Sequence, residues 1–313
     1  MRRDLVIVRA GDGSLHPEWL RHAADRSWDL LVSYFGDGPE RFRDDDVIRI
    51  DSKGAKWPAL HRLLTERADL LQRYDYIWLP DDDISCSARD IERLFAAMRR
   101  HDLLLGQPSL SAGSYFSFSI TLHNPMTQLR WTNFIETMVP CFRSDLLTKC
   151  LVVIAPYVSG WGLDWVWPKE AGLGTGRVAI IDAVSVTHTR PLGGPSYRFF
   201  RDSGMTPSDE LAHALRTHGI EDRVTRIDEI LAIGGIRMPA QSTLARNVLR
   251  LGYGLAAMTA IARVYARRDP QRWTLLKRLV RNIAHPAALV DYPHVVLPDG
   301  TNFVKGPAAP PAI

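Results

Sequence analysis

Short apolar runs separated by polar breakers fill the first hundred residues. Leu5 to Val8 is one such run, stopped by Gly11-Asp12-Gly13. Leu30 to Tyr34 and Val47 to Ile50 repeat it, and Tyr76 to Leu79 ends at Pro80. Runs of that length between breakers predict strands. The segments between them have helical period. Pro17 to Arg26 reads as a helix, and so does Trp57 to Arg73, where Leu60, Leu63, Leu64, Ala68 and Leu71 share a face. Ser87 with Asp90 three residues on predicts a capped helix through Arg100. Strand and helix in alternation predict a parallel sheet with right-handed crossovers, which binds ligands beyond its strands' carboxyl ends.

The rhythm changes after Gly106. Ser114 to Leu122 alternates and predicts a strand of an antiparallel ribbon. Ser144 to Ala155 predicts a helix. Val178 to Ile181 and Val184 to Thr187 predict two strands. The expected class is α/β, with a Rossmann-like nucleotide-binding half and a mixed half within residues 1–235. Residues 236–300 then form a basic helical appendage. Leu244, Val248, Leu251, Leu255, Met258, Ala262 and Tyr265 share one helical face, flanked by Arg246, Arg250, Arg263, Arg267 and Arg268. Trp273, Leu276, Leu279, Val280 and Ile283 make a second face beside Lys277, Arg278 and Arg281. Such helices either pack on the domain or bring residues 243–283 to an anionic membrane surface as a peripheral contact. The Pro/Ala-rich end, residues 301–313, predicts disorder.

Composition narrows the class. Of 313 residues 46% are hydrophobic and 24% charged, which supports a large core and excludes fibrous and disordered classes. Three cysteines, Cys86, Cys141 and Cys150, exclude a disulfide framework and fit a reducing, cytoplasmic setting. The apolar run before Arg9 is too short for a signal peptide or an anchor. The net charge of +4 conceals an asymmetry: residues 240–285 hold nine Lys/Arg and one Asp. A basic segment on a slightly acidic body argues against a nucleic-acid partner.

Five segments carry candidate chemistry. Asp81, Asp82 and Asp83 follow the apolar strand Ile77-Trp78-Leu79. Alternate residues of an extended chain point the same way, so Asp81 and Asp83 can share a divalent ion, Mg²⁺ or Mn²⁺. His188 ends a strand beside Arg190; imidazole suits Mn²⁺-like ions and a guanidinium suits phosphate. Gly160-Trp161-Gly162-Leu163-Asp164-Trp165-Val166-Trp167 offers aromatic faces for a sugar, glycines for close approach and one carboxylate for a hydroxyl. Lys53 and Lys56 precede a helix N-terminus and favour a diphosphate. Glu136 lies in an apolar segment, where an unpartnered carboxylate is costly.

At these motifs the sequence resembles the plant and bacterial proteins grouped as domain of unknown function 707. The shared pieces here are Lys53 to Trp57, Tyr74 to Ile84, Phe134 to Pro140, Trp161 to Asp164, and Ile181-Asp182 through His188, Pro191, Leu192 and Gly193. The resemblance spans about residues 4–200. That family is in turn similar to nucleotide-sugar glycosyltransferases of the GT-A fold. The resemblance implies an Asp-x-Asp motif at Asp81 and Asp83, which with His188 would hold Mn²⁺ or Mg²⁺. Lys53, Lys56, Asp82 and Arg190 would contact a nucleotide-sugar donor such as a UDP-sugar. Asp164 and Glu136 would face a carbohydrate or other hydroxyl acceptor as catalytic groups. The implied enzyme is a hexosyltransferase-like, metal-dependent glycosyltransferase. One position departs from the motif: Trp165 stands where several inverting enzymes carry their base. Two other readings remain at this level, a metal-dependent phosphohydrolase and a non-catalytic nucleotide- or carbohydrate-binding protein.

Overall fold

Asp4–Ala10 (β1) places Leu5 and Ile7 on one face of a sheet and Val6 and Val8 on the other, all fully buried. A strand covered on both faces needs a helix layer on each side. The computed structural model describes residues 2–44, 46–191, 206–221, 223–264 and 272–289. In chain order β1 is followed by α1 (His16–Trp19), β2 (Trp28–Tyr34), β3 (Ile48–Asp51), α2 (Lys56–Glu66) and α3 (Ala68–Arg73). Then come β4 (Tyr76–Trp78), β5 (Ile84–Ser85), α4 (Ala88–Arg100), β6 (Leu105–Leu110), β7 (Thr127–Thr132) and β8 (Cys141–Arg143). Next are α5 (Ser144–Ile154), α6 (Leu163–Glu170), β9 (Val178–His188), α7 (Pro207–Thr217) and β10 (Thr225–Ala232). The last are β11 (Arg237–Pro239), α8 (Thr243–Val264), α9 (Arg272–Ala284) and β12 (Ala288–Leu289).

The main sheet has the order β11-β10-β7-β9-β6-β8-β4-β1-β2-β3. β3, β2, β1 and β4 are parallel, as the alternation predicts. Beyond β4 the sheet is mixed: β8 runs antiparallel to β4 and to β6, and β9 runs parallel to β6. β9 therefore ends on the same edge as β1 and β4. β5 turns back to pair with the end of β9, Ile84 opposite His188. That pairing joins the residues after β4 to the end of β9.

Several predicted elements take another form. The helix expected over Pro17 to Arg26 stops at Trp19, and His22 adopts a left-handed φ of 57°. Trp57 to Arg73 is two helices, broken at Arg67. Ser114 to Leu122 is not a strand but a buried loop with one 3-10 turn, Ser119–Thr121. Its carbonyls are satisfied by side chains rather than by a ladder: Arg130 reaches Ile120 and Leu122, and Asn282 reaches Ser119. The two strands expected over residues 178–187 are the single strand β9, whose register shifts opposite Pro108 and Ser109. Asp182 sits at that shift, fully engaged by Arg130 (2.6 and 2.8 Å), Thr127 and the Asn124 amide. Burial alone would raise the Asp182 carboxyl, but Arg130 overrides it and holds it at about 2.

α8 docks on the sheet by the face that carries Leu249, Gly252 and Tyr253. Ala245, Leu249, Tyr253 and Ala257 are buried, and the Leu249 carbonyl accepts from Asn124 (3.0 Å). A Cβ on Gly252 would lie 1.8 Å from Asn124, so only glycine permits this approach. The predicted apolar face points the other way. Leu244, Leu251, Leu255 and Met258 are exposed, because Gly252 against Asn124 and Tyr253 against Arg130 fix the opposite face on the sheet. In α9, Leu279 is buried and Val280 is exposed. Tyr265, Arg267 and Arg268, the side chains of Ala262, Arg263 and Trp273, the motif residues Leu192 and Gly193, and the tail 301–313 lie outside the described residues. Among the described residues, no helix is long and apolar enough to cross a membrane.

Candidate active site

Asp81, Asp82 and Asp83 leave the carboxyl end of β4, and His188 ends β9 beside them. One ligand atom each from Asp81, Asp83 and His188 lies within 4.8 Å of the others. His188 Nε2 is 3.2 Å from an Asp83 oxygen. Its Nδ1–H donates to the Tyr115 carbonyl (2.8 Å), which fixes the tautomer and turns the other nitrogen into the cluster. Burial opposes charge on His188, but Asp83 outweighs it and its pKa moves up. Burial raises Asp81, the neighbouring Asp83 adds to that, and Lys56 opposes it at 2.5 Å. Two carboxylates and one oriented imidazole form the donor set of a hard to borderline divalent ion, so these residues fit Mn²⁺ or Mg²⁺.

The middle aspartate points elsewhere. Asp82 accepts from the Gly11 amide (2.8 Å) and faces Arg190 (3.3 Å), which also donates to the Gly13 carbonyl. Its carboxyl is pushed up to about 6 by burial. Asp82 and Arg190 thus hold the loop after β1. Lys56 joins the cluster, bridging Asp81 and the Thr137 carbonyl (3.0 Å). Lys53 does not join it. Its ammonium donates to the Phe35 and Gly36 carbonyls and to Asp37 at the end of β2.

Residues 135–138 are the hub of the site. The Thr137 amide donates to Asp164 Oδ1 (2.7 Å), the Ile135 amide to the Asp164 carbonyl (3.1 Å), and the Glu136 amide to Gln107 (2.6 Å). The Met138 carbonyl accepts from the Asp81 amide (2.9 Å). Asp164 and Glu136 therefore reach one place from α6 and the β7–β8 loop. Both are buried. Burial raises Asp164 to about 7, against the Thr137 amide. Burial raises Glu136 to about 8, and Asp164 adds to it. Neither carboxyl oxygen of Glu136 has a hydrogen-bond partner among the described residues.

That unpartnered group has a stability signature. Unfolded, the Glu136 carboxyl ionises near its ordinary value of 4.5; folded, near 8. Between those limits the unfolded chain binds fewer protons, so the metal-free protein loses stability as pH rises. Glu136→Gln removes this loss. Melted with a chelator present, the variant should match the parent near pH 4 and exceed it above pH 8, by up to about 5 kcal/mol. Equal curves at pH 9 would show that Glu136 ionises without penalty.

The tryptophan segment is mostly packing. Trp165 stacks edge-on with Phe118 and Phe134, and Trp167 with Trp57 and Phe142. Only Trp161 is partly exposed. The glycines admit protein rather than ligand. A Cβ on Gly160 would lie 2.1 Å from Trp57 Nε1, and one on Gly162 2.4 Å from Ala214 Cβ, with φ of 79° and 100°. This close packing brings Asp164 to the first turn of α6.

Two residues escape sequence reading. Buried Glu210 on α7 accepts from the Val158 and Ser159 amides and the Ser159 hydroxyl, and so anchors the loop before Gly160. Buried Arg9 donates to the Ser52 (2.8 Å) and Gly54 (2.6 Å) carbonyls and shapes the lysine–glycine loop. Neither stands in a motif, and both act across more than forty residues of chain.

Comparison with known proteins adds a family and a fold. A family profile described as "Protein of unknown function (DUF707)" matches residues 42–216. No curated protein matches the sequence. Among solved structures the chain is similar to GalNAc-T7 with UDP, GalNAc and Mn²⁺, at TM-score 0.50 and 10% identity, over 70% of this chain. It spans about half of that protein's length, 48%. It is also similar to S. aureus TarS 1–349 in complex with UDP-GlcNAc, at TM-score 0.46 and 12% identity, over 90% of this chain and 89% of that one. The fold is of the GT-A type.

Proposed function

The chain belongs to the DUF707 family of proteins of unknown function, and on that premise we propose that it is a metal-dependent glycosyltransferase with a nucleotide-diphosphate sugar donor. One observation carries the reading: Asp81, Asp83 and His188 converge at the carboxyl edge of the sheet, beside two buried carboxyls, Asp164 and Glu136. Asp81, Asp83 and His188 would hold Mn²⁺ or Mg²⁺. When bound, the ion supplies positive charge against the leaving diphosphate. Lys56 adds a fixed ammonium beside it, and Arg190 a guanidinium at the loop after β1. Asp82, held by the Gly11 amide, orients the nucleoside side of the donor. Lys53 contributes there by ordering residues 35–37. At the acceptor, a hydroxyl oxygen attacks the sugar carbon, the bond from that carbon to the diphosphate oxygen breaks, and the hydroxyl proton passes to a carboxylate. Asp164, held in place by the Thr137 amide, fits that role. The acceptor is a carbohydrate or another hydroxyl compound. Three unpaired thiols accord with a cytoplasmic location.

A thermal-shift panel of nucleotide sugars, with and without Mn²⁺, tests the reading. UDP-sugars are the first probes, because the GalNAc-T7 neighbour holds UDP and Mn²⁺. A donor-selective rise in melting temperature that needs the metal is expected. A rise with generic phosphate esters, followed by their hydrolysis, would replace the proposal with a phosphohydrolase. Tight donor binding without turnover on any acceptor would leave a binding protein.

A further inference from the structure

α8 buries Ala245, Leu249, Tyr253 and Ala257 against the domain and turns a second apolar row to solvent. Met258 is 68% exposed, Leu244 60%, Leu251 54%, Leu255 40% and Ile261 38%. Five large aliphatic side chains along one helix exceed the scattered exposure that any surface shows. The opposite face is already committed to Asn124 and Arg130, so the outward row has no room to turn in. The neighbouring α9 packs on α8 and adds exposed Val280 and Lys277. Arg246, Arg250, Lys277 and Arg281 are exposed, and the two helices hold no Asp or Glu.

We propose that the outward face of α8, with exposed Arg246, Arg250, Lys277 and Arg281, docks on the surface of an anionic lipid bilayer. Apolar side chains enter the acyl boundary while Lys and Arg meet anionic head groups. The charge sign selects this occupant over a second copy of the chain, which would set arginine against arginine across the contact. It selects it over a polyanion as well, which would leave the aliphatic row uncovered. Neither helix inserts across the bilayer; both lie on it. The docked helices also touch the wall of the site. Arg278 donates to the Ser117 carbonyl, and Asn282 pairs with Ser119 (2.9 and 3.0 Å). The same loop supplies the Tyr115 carbonyl that orients His188. The docking itself does not depend on the proposed reaction.

Co-sedimentation of the full chain with vesicles tests it. The probes are phosphatidylcholine vesicles and vesicles of an equal mixture of phosphatidylcholine and phosphatidylglycerol. The chain should pellet with the mixture, release with added salt, and stay mostly in solution with phosphatidylcholine alone. Leu251→Glu with Met258→Glu should abolish pelleting, and Arg246→Gln with Lys277→Gln should weaken it on the order of 10-fold. All four positions are exposed, so circular dichroism melts of both variants should match the parent. Absence of pelleting with the anionic mixture would overturn the proposal. So would pelleting that survives the two glutamates. A chain that self-associates in solution until Leu251→Glu makes it monomeric would assign the face to a second copy instead.

Discussion

Asp83→Asn is expected to abolish Mn²⁺-dependent UDP binding while the protein stays folded, and Asp81→Asn to do the same. An amide keeps the shape of the carboxylate but removes the charge that a divalent ion requires. Loss of a partner one shell further out already costs about 10–100-fold in metal affinity, so loss of a ligand should cost about 100-fold or more. The fold should tolerate the change. The Asp83 backbone carbonyl, not its carboxylate, accepts from the Thr189 amide (3.0 Å) and hydroxyl (2.8 Å). Removing one of three adjacent aspartates also relieves repulsion. His188→Ala belongs to the same series, with a loss of roughly 10-fold or more, because Tyr115 already holds the ring for ligation. Calorimetric titration of UDP with and without Mn²⁺ measures all three. Retained metal-dependent affinity in both aspartate variants would end the metal assignment.

The strands that frame this cluster were legible because they are buried on both faces. Leu5 to Val8 and Tyr76 to Leu79 have no polar face to disguise them, and the Ser87–Asp90 capping box marks its helix outright. Asp81, Asp83 and His188 were legible as types at strand ends. Their meeting depended on β5 returning to β9, a two-residue strand with no periodicity to read. Ser114 to Leu122 misled for a physical reason. Its apolar and polar residues alternate in sequence, but Ser117, Ser119 and Thr121 are buried along with Phe118, Ile120 and Leu122, and side chains from Arg130 and Asn282 replace the strand partner. α8 misled differently. Periodicity identified one apolar face, while the fold buried the other, which carries Leu249, Tyr253 and the Gly252 that must pass Asn124. The tryptophans at 165 and 167 chose the core over the ligand, as large rings do when other aromatics stand ready to meet them.

Asp164→Asn should lower the rate of transfer by about 10²–10⁴-fold, the range for a positioned base, with donor affinity nearly unchanged. The Asp164 carboxyl lies near 7, so at neutral pH about half of the molecules can accept a proton. Below that value it is protonated and cannot act. The wild-type kcat/KM should therefore fall as pH drops through about 7, and Asp164→Asn should lose that limb along with the rate. Glu136 behaves in the opposite sense. Its carboxyl lies near 8 and is protonated at neutral pH, where glutamine resembles it in shape and in carrying a hydrogen-bond donor. Glu136→Gln should accordingly cost little at pH 7, whereas Glu136→Ala, which removes the donor, should cost far more. A role confined to acceptor binding separates cleanly in the kinetics. It would raise the acceptor KM in Asp164→Asn and leave kcat in place. Donor hydrolysis without acceptor serves as the control, since loss of a base for the acceptor hydroxyl leaves the donor site intact. Normal kcat and KM in Asp164→Asn would mean that this buried carboxyl only ties α6 to Thr137, and that the acceptor binds elsewhere on the carboxyl edge of the sheet.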